Sequence, residues 1–362
     1  MPSPAEIIQA LGGRTKLTSA LQSNLDWIYQ SFKVNGYHGS SGSRTVLGRW
    51  AAPYPETTGY LIPTLLLGDK YLPKHGLADI AKKQLSFFKT IRTDEGSYYS
   101  DTAKASPIVF DVAQILLGHI ALVPHLEHPD TLLQEIEITK DWLSDLLDEE
   151  GIIISHNYVD NFQPSYYSRI AWPLAFAENI IDSKVSLRTK KLVENIVSLR
   201  NENSSFKNWG FHKGAAAYTH TIAYTLRGLW EYAELVNSQK IKNQVKTTLK
   251  TISKLIKENN KVAATYDEQW NGDSSYICSA GNAQLALMLL ITYERTSRLE
   301  YLDTVTTLLK PLLKGQRKFS LNKGAVPSSL PIWGNYQKMK FTNWTQKFFA
   351  DALMKLLELG ES

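Results

Sequence analysis

The chain has 362 residues, of which 43% are hydrophobic and 21% are charged, and its formal net charge is +5. This composition provides enough apolar material for a large core and excludes a disordered chain. A single cysteine, Cys278, excludes a disulfide framework and a multi-cysteine zinc site, and the spread-out positive charge argues against a nucleic-acid partner.

A polar turn, usually with a glycine, recurs about every 55–60 residues, which is the mark of an internal repeat. The glycine-containing turns are Asn35–His38, Glu95–Tyr98, Glu150–Ile152, Trp209–Phe211 and Lys323–Ala325. The last interval is twice as long, and Asn260–Ala263 lies near its middle without a glycine. The pattern therefore predicts six units of similar length.

Each unit has the same internal order. An amphipathic segment leads into the turn. In one unit it contains Leu132, Ile136 and Leu143, and their spacing predicts a helix with one solvent-exposed face. A loop rich in aromatic residues follows, and then a segment that is apolar on all sides, which predicts a buried helix. The apolar segments are residues 59–67, 108–123, 170–180, 221–235, 283–293 and 348–357.

Alternating amphipathic and apolar helices predict an outer ring around an inner ring. We therefore expect one all-α domain over residues 1–362, an (α/α)6 toroid of six helical hairpins, with few strands and short pairs near residues 152–155. An open solenoid is the alternative, but its terminal repeats need polar outer faces. The last apolar segment, 348–357, is nearly as apolar as the middle ones, which favours closure.

No targeting or membrane segment is predicted. Residues 1–6 lack the basic and then apolar stretch of a signal peptide. The longest apolar run, 109–123, contains Asp111 and Gln114 and is too short for a membrane span of ~20 residues. We expect a cytoplasmic protein without a membrane partner.

In a toroid the inner helices all run the same way, so their N-termini and the preceding loops form one mouth. Polar residues at the start of a buried helix need a cavity or a satisfied network. Glu56 and Asp111 are candidate carboxylates, although each could simply cap its helix. His220 could be a hydrogen-bonded core histidine, whereas Arg169, if buried, needs a carboxylate partner. Single tryptophans usually pack, but several on the loop side suggest an aromatic mouth.

An aromatic mouth with carboxylates, a histidine and arginines suits a carbohydrate. Sugar rings stack their apolar faces on aromatic side chains, and their hydroxyls need several polar partners. Arginines such as Arg44, Arg49 and Arg169 would bind a carboxylate in a bidentate fork, which points to an acidic sugar.

The six units with this mouth resemble the six-hairpin toroid enzymes: unsaturated glucuronyl and rhamnogalacturonyl hydrolases, N-acylglucosamine epimerases and uronate lyases. The resemblance covers nearly the whole chain but lies in architecture and composition. For a hydrolase it implies Asp111 as proton donor, with Glu56 or Asp267 as the second carboxylate. For a lyase or epimerase it implies Tyr166 or His220 as the base, with Arg169 or Asn343 stabilising the charge.

The sequence thus predicts a carbohydrate-active enzyme that most resembles a glycoside hydrolase. The alternatives are a lyase or epimerase, and a toroid that binds a glycan or protein without chemistry. The expected catalytic residues are Asp111, Glu56, His220 and Tyr166. The expected substrate-binding residues are Arg169, Arg44, Trp50, Trp209, Trp270, Gln114, Asn343 and Trp344. No nucleotide, zincin or serine-hydrolase motif occurs, so no cofactor or metal is expected.

Overall fold

A computed structural model describes residues 1–361. Six helices form an inner ring, and each lies where the sequence predicts an apolar segment. They are α3 (Pro55–Gly68), α5 (Val109–Leu122), α7 (Ser168–Asp182), α9 (Thr219–Leu235), α11 (Ser279–Thr296) and α13 (Asn343–Leu359). In α5 all residues except Ile120 and Ala121 are buried, as expected for a helix with protein on every side.

Six further helices form the outer ring. They are α2 (Arg14–Lys33), α4 (Leu77–Thr90), α6 (Asp130–Asp145), α8 (Leu187–Ser198), α10 (Gln239–Asn259) and α12 (Val305–Gly315). These helices bury one stripe only: in α10, Ile241, Val245, Leu249, Ile252 and Ile256 face inward. Each outer helix packs on an inner helix, and the short α1 (Pro4–Ala10) covers the seam between α2, α12 and α13.

The inner ring is closed. Each inner helix contacts the next one along the chain, and α13 contacts α3. Helices α3 and α5 approach closely at two glycines: a Cβ on Gly59 would lie 2.6 Å from the carbonyl oxygen of Gln114, and one on Gly118 would collide with the carbonyl oxygen of Gly59. The (α/α)6 toroid predicted from the sequence is confirmed.

Within residues 1–361, seven very short strands connect the loops. Strand β1 (Ser43–Thr45) pairs antiparallel with β7 (Lys340–Thr342), which joins the first unit to the last. Strands β2 (Ala217–Tyr218), β3 (Thr265–Tyr266) and β4 (Gly272–Asp273) form a second sheet. The third sheet consists of β5 (Ile277–Cys278) and β6 (Ser329–Leu330). Strands β2, β5 and β7 each lead directly into an inner helix, so the sheets hold the start of these helices in place.

Two local predictions were wrong. Near residues 152–155 there is no strand pair, only a single bridge between Leu147 and Ile153. In the fourth unit the repeated turn lies at Ser204, inside the bridge Arg200–Phe206, and not at Trp209–Phe211. Ser204 takes a left-handed φ of 70°, the conformation that Gly96 and Gly151 take in the equivalent turns, so the absence of glycine hid the turn.

Candidate active site

A cavity of about 140 Å³ opens at the mouth formed by the N-termini of the inner helices. Its walls come from five of the six units and are mostly aromatic. The lining residues are Tyr54, Glu56, Phe110, Asp111, Tyr158, Tyr166, Phe211, His220, Tyr224, Tyr336, Gln337 and Trp344. The structure therefore brings the four predicted catalytic residues Glu56, Asp111, Tyr166 and His220 to one cavity, together with Trp344.

The helix starts position these side chains. Pro55 opens α3 with its fixed φ, which places Glu56 in the first turn. Asp111 lies in the first turn of α5 and His220 in the first turn of α9. The N-cap residues of the two helices are Tyr54 and Ile108, so neither carboxylate occupies the capping position, and Asp111 Oδ2 has no hydrogen-bond partner within residues 1–361. Both carboxyl groups line the cavity, and Asp111 Oδ2 is free to bind a ligand.

Burial raises the pKa of both carboxyl groups. The pKa of Glu56 rises to about 7, although the hydrogen bond from Tyr54 and the charge of Arg169 lower it in part. The pKa of Asp111 lies well above its ordinary value because of burial and because of the neighbouring Glu56. A helix N-terminus lowers a carboxyl pKa by less than about one unit, so burial is the larger effect. The raised pKa favours the protonated form of Asp111, and a pKa of about 7 lets Glu56 give up or take a proton near neutral pH.

His220 is a neutral imidazole. Burial lowers its pKa to about 3. Its Nδ1 lies 2.8 Å from Oε1 of Gln284, and because an amide oxygen only accepts, Nδ1 carries the proton. Nε2 is therefore left with a lone pair, and His220 can accept a hydrogen bond from a ligand hydroxyl.

The aromatic side chains are packed tightly around these groups. Tyr224 lies with its ring 4.3 Å from that of His220, and Tyr166 packs edge-on against Phe110 at 5.7 Å. Trp344 donates a hydrogen bond of 2.7 Å from Nε1 to the hydroxyl of Tyr336. Burial raises the pKa of the Tyr166 hydroxyl above its ordinary value, so this group stays protonated and acts as a donor.

The other predicted residues lie outside this cavity and have partners within the protein. Arg44 stacks on Trp50 at 4.7 Å and donates to the carbonyl oxygen of Gly48. Trp209 packs against Trp270 at 5.0 Å. These two pairs stabilise the loops, so a role in substrate binding has no support from their positions.

Three predicted polar residues are buried in the ring wall. Asn343 donates to the carbonyl oxygen of Ser41 at 2.9 Å and so fastens the first loop to α13. Gln114 accepts a hydrogen bond of 2.6 Å from Arg169. Arg169 lines a second cavity on the far side of the ring, and its partner is this amide rather than the expected carboxylate.

Sequence analysis missed Tyr224, Phe211 and Gln337 as site residues. Tyr224 follows His220 by four positions, so helical spacing alone places both on one face. Phe211 and Gln337 lie in irregular loops, where no spacing rule applies.

Among residues 1–361, no group of three histidine, cysteine or carboxylate side chains is arranged to hold a metal ion. In the same part of the chain, no helix is both long and apolar enough to cross a membrane.

The comparison with solved structures confirms the fold. An unsaturated glucuronyl hydrolase specific for heparin superposes with a TM-score of 0.76 and 15% sequence identity, over 97% of this chain and 99% of that one. The unsaturated glucuronyl hydrolase of Bacillus sp. GL1 superposes with a TM-score of 0.72 and 14% sequence identity, over 94% of this chain and 96% of that one. Cellobiose 2-epimerase from Bacillus thermoamylovorans has a TM-score of 0.71 and 10% sequence identity, over 96% of this chain and 100% of that one.

No protein-family model and no curated protein matches this chain in sequence. At these identities the structural likeness shows the (α/α)6 toroid fold, and function has to be argued from the site.

Proposed function

We propose that this protein is a glycoside hydrolase that takes the terminal sugar of an oligosaccharide into the aromatic cavity. The observation that carries the proposal is the carboxyl pair, Asp111 and Glu56, which lines this cavity and whose pKa values are raised by burial. Strongly shifted carboxyl groups in a cleft are characteristic of acid–base catalysts. The cavity of about 140 Å³ is small for a ligand pocket, which favours one sugar ring over a long buried segment.

The chemistry follows from the protonation states. Asp111, whose raised pKa favours its protonated form, donates its proton to the glycosidic oxygen as the C–O bond breaks. Glu56, in its ionised form, takes a proton from the water that adds to the anomeric carbon. The products are a free sugar and a shortened oligosaccharide, and both carboxyl groups then return to their starting state by exchange with solvent. His220 Nε2 and the tyrosine hydroxyls would bind sugar hydroxyls.

The alternative chemistry, proton abstraction by a lyase or epimerase, has weaker support. The Tyr166 hydroxyl has a raised pKa and the His220 pKa is about 3, so neither is a good base near neutral pH. Arg169 and Asn343, expected to stabilise the developing charge, lie outside the cavity. Sugar epimerases are nevertheless among the structural neighbours, so the experiment includes this reaction.

An acidic terminal sugar stays a prediction. The heparin-specific neighbour is a glucuronyl hydrolase, which agrees with it. However, the cavity lining contains no lysine or arginine, so a sugar carboxylate would be held by neutral donors such as tyrosine hydroxyls.

The test is incubation of the purified full chain with oligosaccharides that end in a neutral hexose, a uronate or an unsaturated uronate. Hydrolysis produces new reducing ends and a released monosaccharide. A change of sugar identity without new reducing ends would show an epimerase, and binding without turnover would show a non-catalytic toroid. Either result contradicts the proposal.

The variants identify the groups responsible. Asp111→Asn and Glu56→Gln should each lower kcat by at least about a hundredfold, the usual contribution of a general acid or base. Asp94 and Glu95 are exposed in the turn after α4, so Asp94→Asn and Glu95→Gln are matched controls that should retain full activity. Unchanged turnover in Asp111→Asn would rule out the assigned acid.

A further inference from the structure

A second cavity lies on the opposite side of the ring. Its volume is about 440 Å³, and the inner helices line it. Six cationic side chains face it, against four carboxylates. The cationic residues are Lys70, Arg169, Arg227, Arg295, Lys347 and Lys355.

All four carboxylates are already paired. Glu231 binds Arg227, and Asp351 binds Lys347. Lys355 serves both remaining carboxylates, Glu294 and Glu358, at 2.9 Å each. Within residues 1–361, Lys70, Arg169 and Arg295 therefore have no carboxylate partner, and the cavity carries uncompensated positive charge.

Among these three cations, burial is most unfavourable for Arg169. It is only 3% exposed, and its Nε has no hydrogen-bond partner in the described part of the chain. Its guanidinium lies over the rings of Trp172, at 4.8 Å, and Tyr224, at 5.1 Å. A buried charge without a counter-ion is strongly unfavourable, and aromatic faces and one amide compensate it only in part.

Helix electrostatics do not account for this cation. Cations are favoured near the C-terminus of a helix, which explains Arg295 in the last turn of α11. Arg169 is the second residue of α7, where the helix end itself is positive. An anion in the cavity would satisfy both the side chain and its surroundings.

We infer that this rear cavity binds a phosphate-bearing small molecule. Arginine guanidinium groups present a planar fork that matches phosphate oxygens, and Arg169 and Arg227 both flank the indole of Trp172. Lys70 and Arg295, on the exposed rim, would guide the anion inward. The inference does not depend on the reaction proposed for the front cavity.

The rear cavity is connected to the front cavity by a hydrogen bond and by the charge of Arg169. Gln284 lines the rear cavity and holds His220, which lines the front one. In addition, the charge of Arg169 lowers the pKa of Glu56. An anion on Arg169 would cancel part of this effect, so occupancy should raise the pKa of Glu56. This second consequence rests on the proposed function.

The binding test uses inorganic pyrophosphate and the full chain at constant ionic strength. Titration calorimetry should show saturable binding, and the melting temperature should rise with pyrophosphate by mass action. Arg227→Gln should weaken binding by at least about tenfold, the effect of losing a charge-assisted hydrogen bond. Arg188→Gln removes an arginine that pairs with Glu149 on the outer surface, and it should bind as the unchanged protein does.

The outcomes are distinguishable. Absence of saturable binding, or equal binding by Arg227→Gln and Arg188→Gln, would overturn the proposal. If Arg227→Gln fails to fold, the rim double variant Lys70→Gln/Arg295→Gln serves instead, because both side chains are exposed. Because binding is measured without a sugar, its failure is separate from a failure of the hydrolase proposal.

Discussion

His220 and Gln284 lie on neighbouring inner helices, α9 and α11, and are joined by a hydrogen bond of 2.8 Å between Nδ1 and Oε1. His220 faces the front cavity, and Gln284 faces the rear one. The pair therefore spans the wall between the two cavities, and it sets which nitrogen of His220 is free to accept a hydrogen bond.

Gln284→Glu should raise the pKa of His220 from about 3, because a carboxylate beside Nδ1 stabilises the imidazolium. NMR titration of the imidazole would measure it, with the exposed His38 in the same spectrum as the internal control. A pKa for His220 that stays unchanged would show that Gln284 does not control this ring.

The rate of hydrolysis should follow a bell-shaped pH profile. Glu56 must be ionised, so kcat falls as the pH drops below about 7, and Asp111 must be protonated, so kcat falls again at higher pH. In Glu56→Gln the residual activity should no longer fall as the pH drops below about 7. Persistence of that fall would assign it to another group.

Glu56→Gln should stabilise the protein at pH 8. The folded protein holds a proton on Glu56 up to about pH 7, while the ordinary pKa is 4.5. The folded state thus binds more protons between these values, and the free energy of unfolding falls as the pH rises from 4.5 to 7. Removing the carboxylate should raise the free energy of unfolding by on the order of 3 kcal/mol above pH 7 and leave it unchanged below pH 4.5.

Denaturant unfolding at pH 4 and pH 8 measures this difference. Glu95→Gln is the control, because Glu95 is exposed and should show no pH-dependent change. Equal stability of Glu56→Gln and the unchanged protein at pH 8 would mean that the carboxylate is well solvated.

Gly118→Ala should destabilise the ring by about 1–3 kcal/mol or more, because the added methyl group collides with the carbonyl oxygen of Gly59 on α3. Thermal unfolding would measure it. Gly214→Ala is the comparison: Gly214 has a φ of +75° but nothing within 4 Å of a Cβ, so only backbone strain of about 1 kcal/mol is expected. A Gly118→Ala variant as stable as Gly214→Ala would indicate that α3 and α5 are less tightly packed.

Much of the fold can be predicted from the sequence because each repeated unit is visible in the spacing of its apolar residues. The one-sided stripe of α10 and the all-round apolar surface of α5 are visible as residue spacing. The turn at Ser204 was missed because a serine there adopts a conformation usually taken by glycine, and its hydroxyl is hydrogen-bonded to that of Thr251 at 2.7 Å.

The sequence by itself determined the architecture and the place of each inner helix along the chain, because periodicity and the order of segments are local properties of the chain. That is why Glu56, Asp111 and His220 could be named. Only the tertiary structure decided in which direction each side chain points around a closed ring. Arg169 and Asp111 both lie in the first turn of a buried helix, yet Arg169 lines the rear cavity and Asp111 the front one, because the packing of the surrounding helices decides where each side chain points.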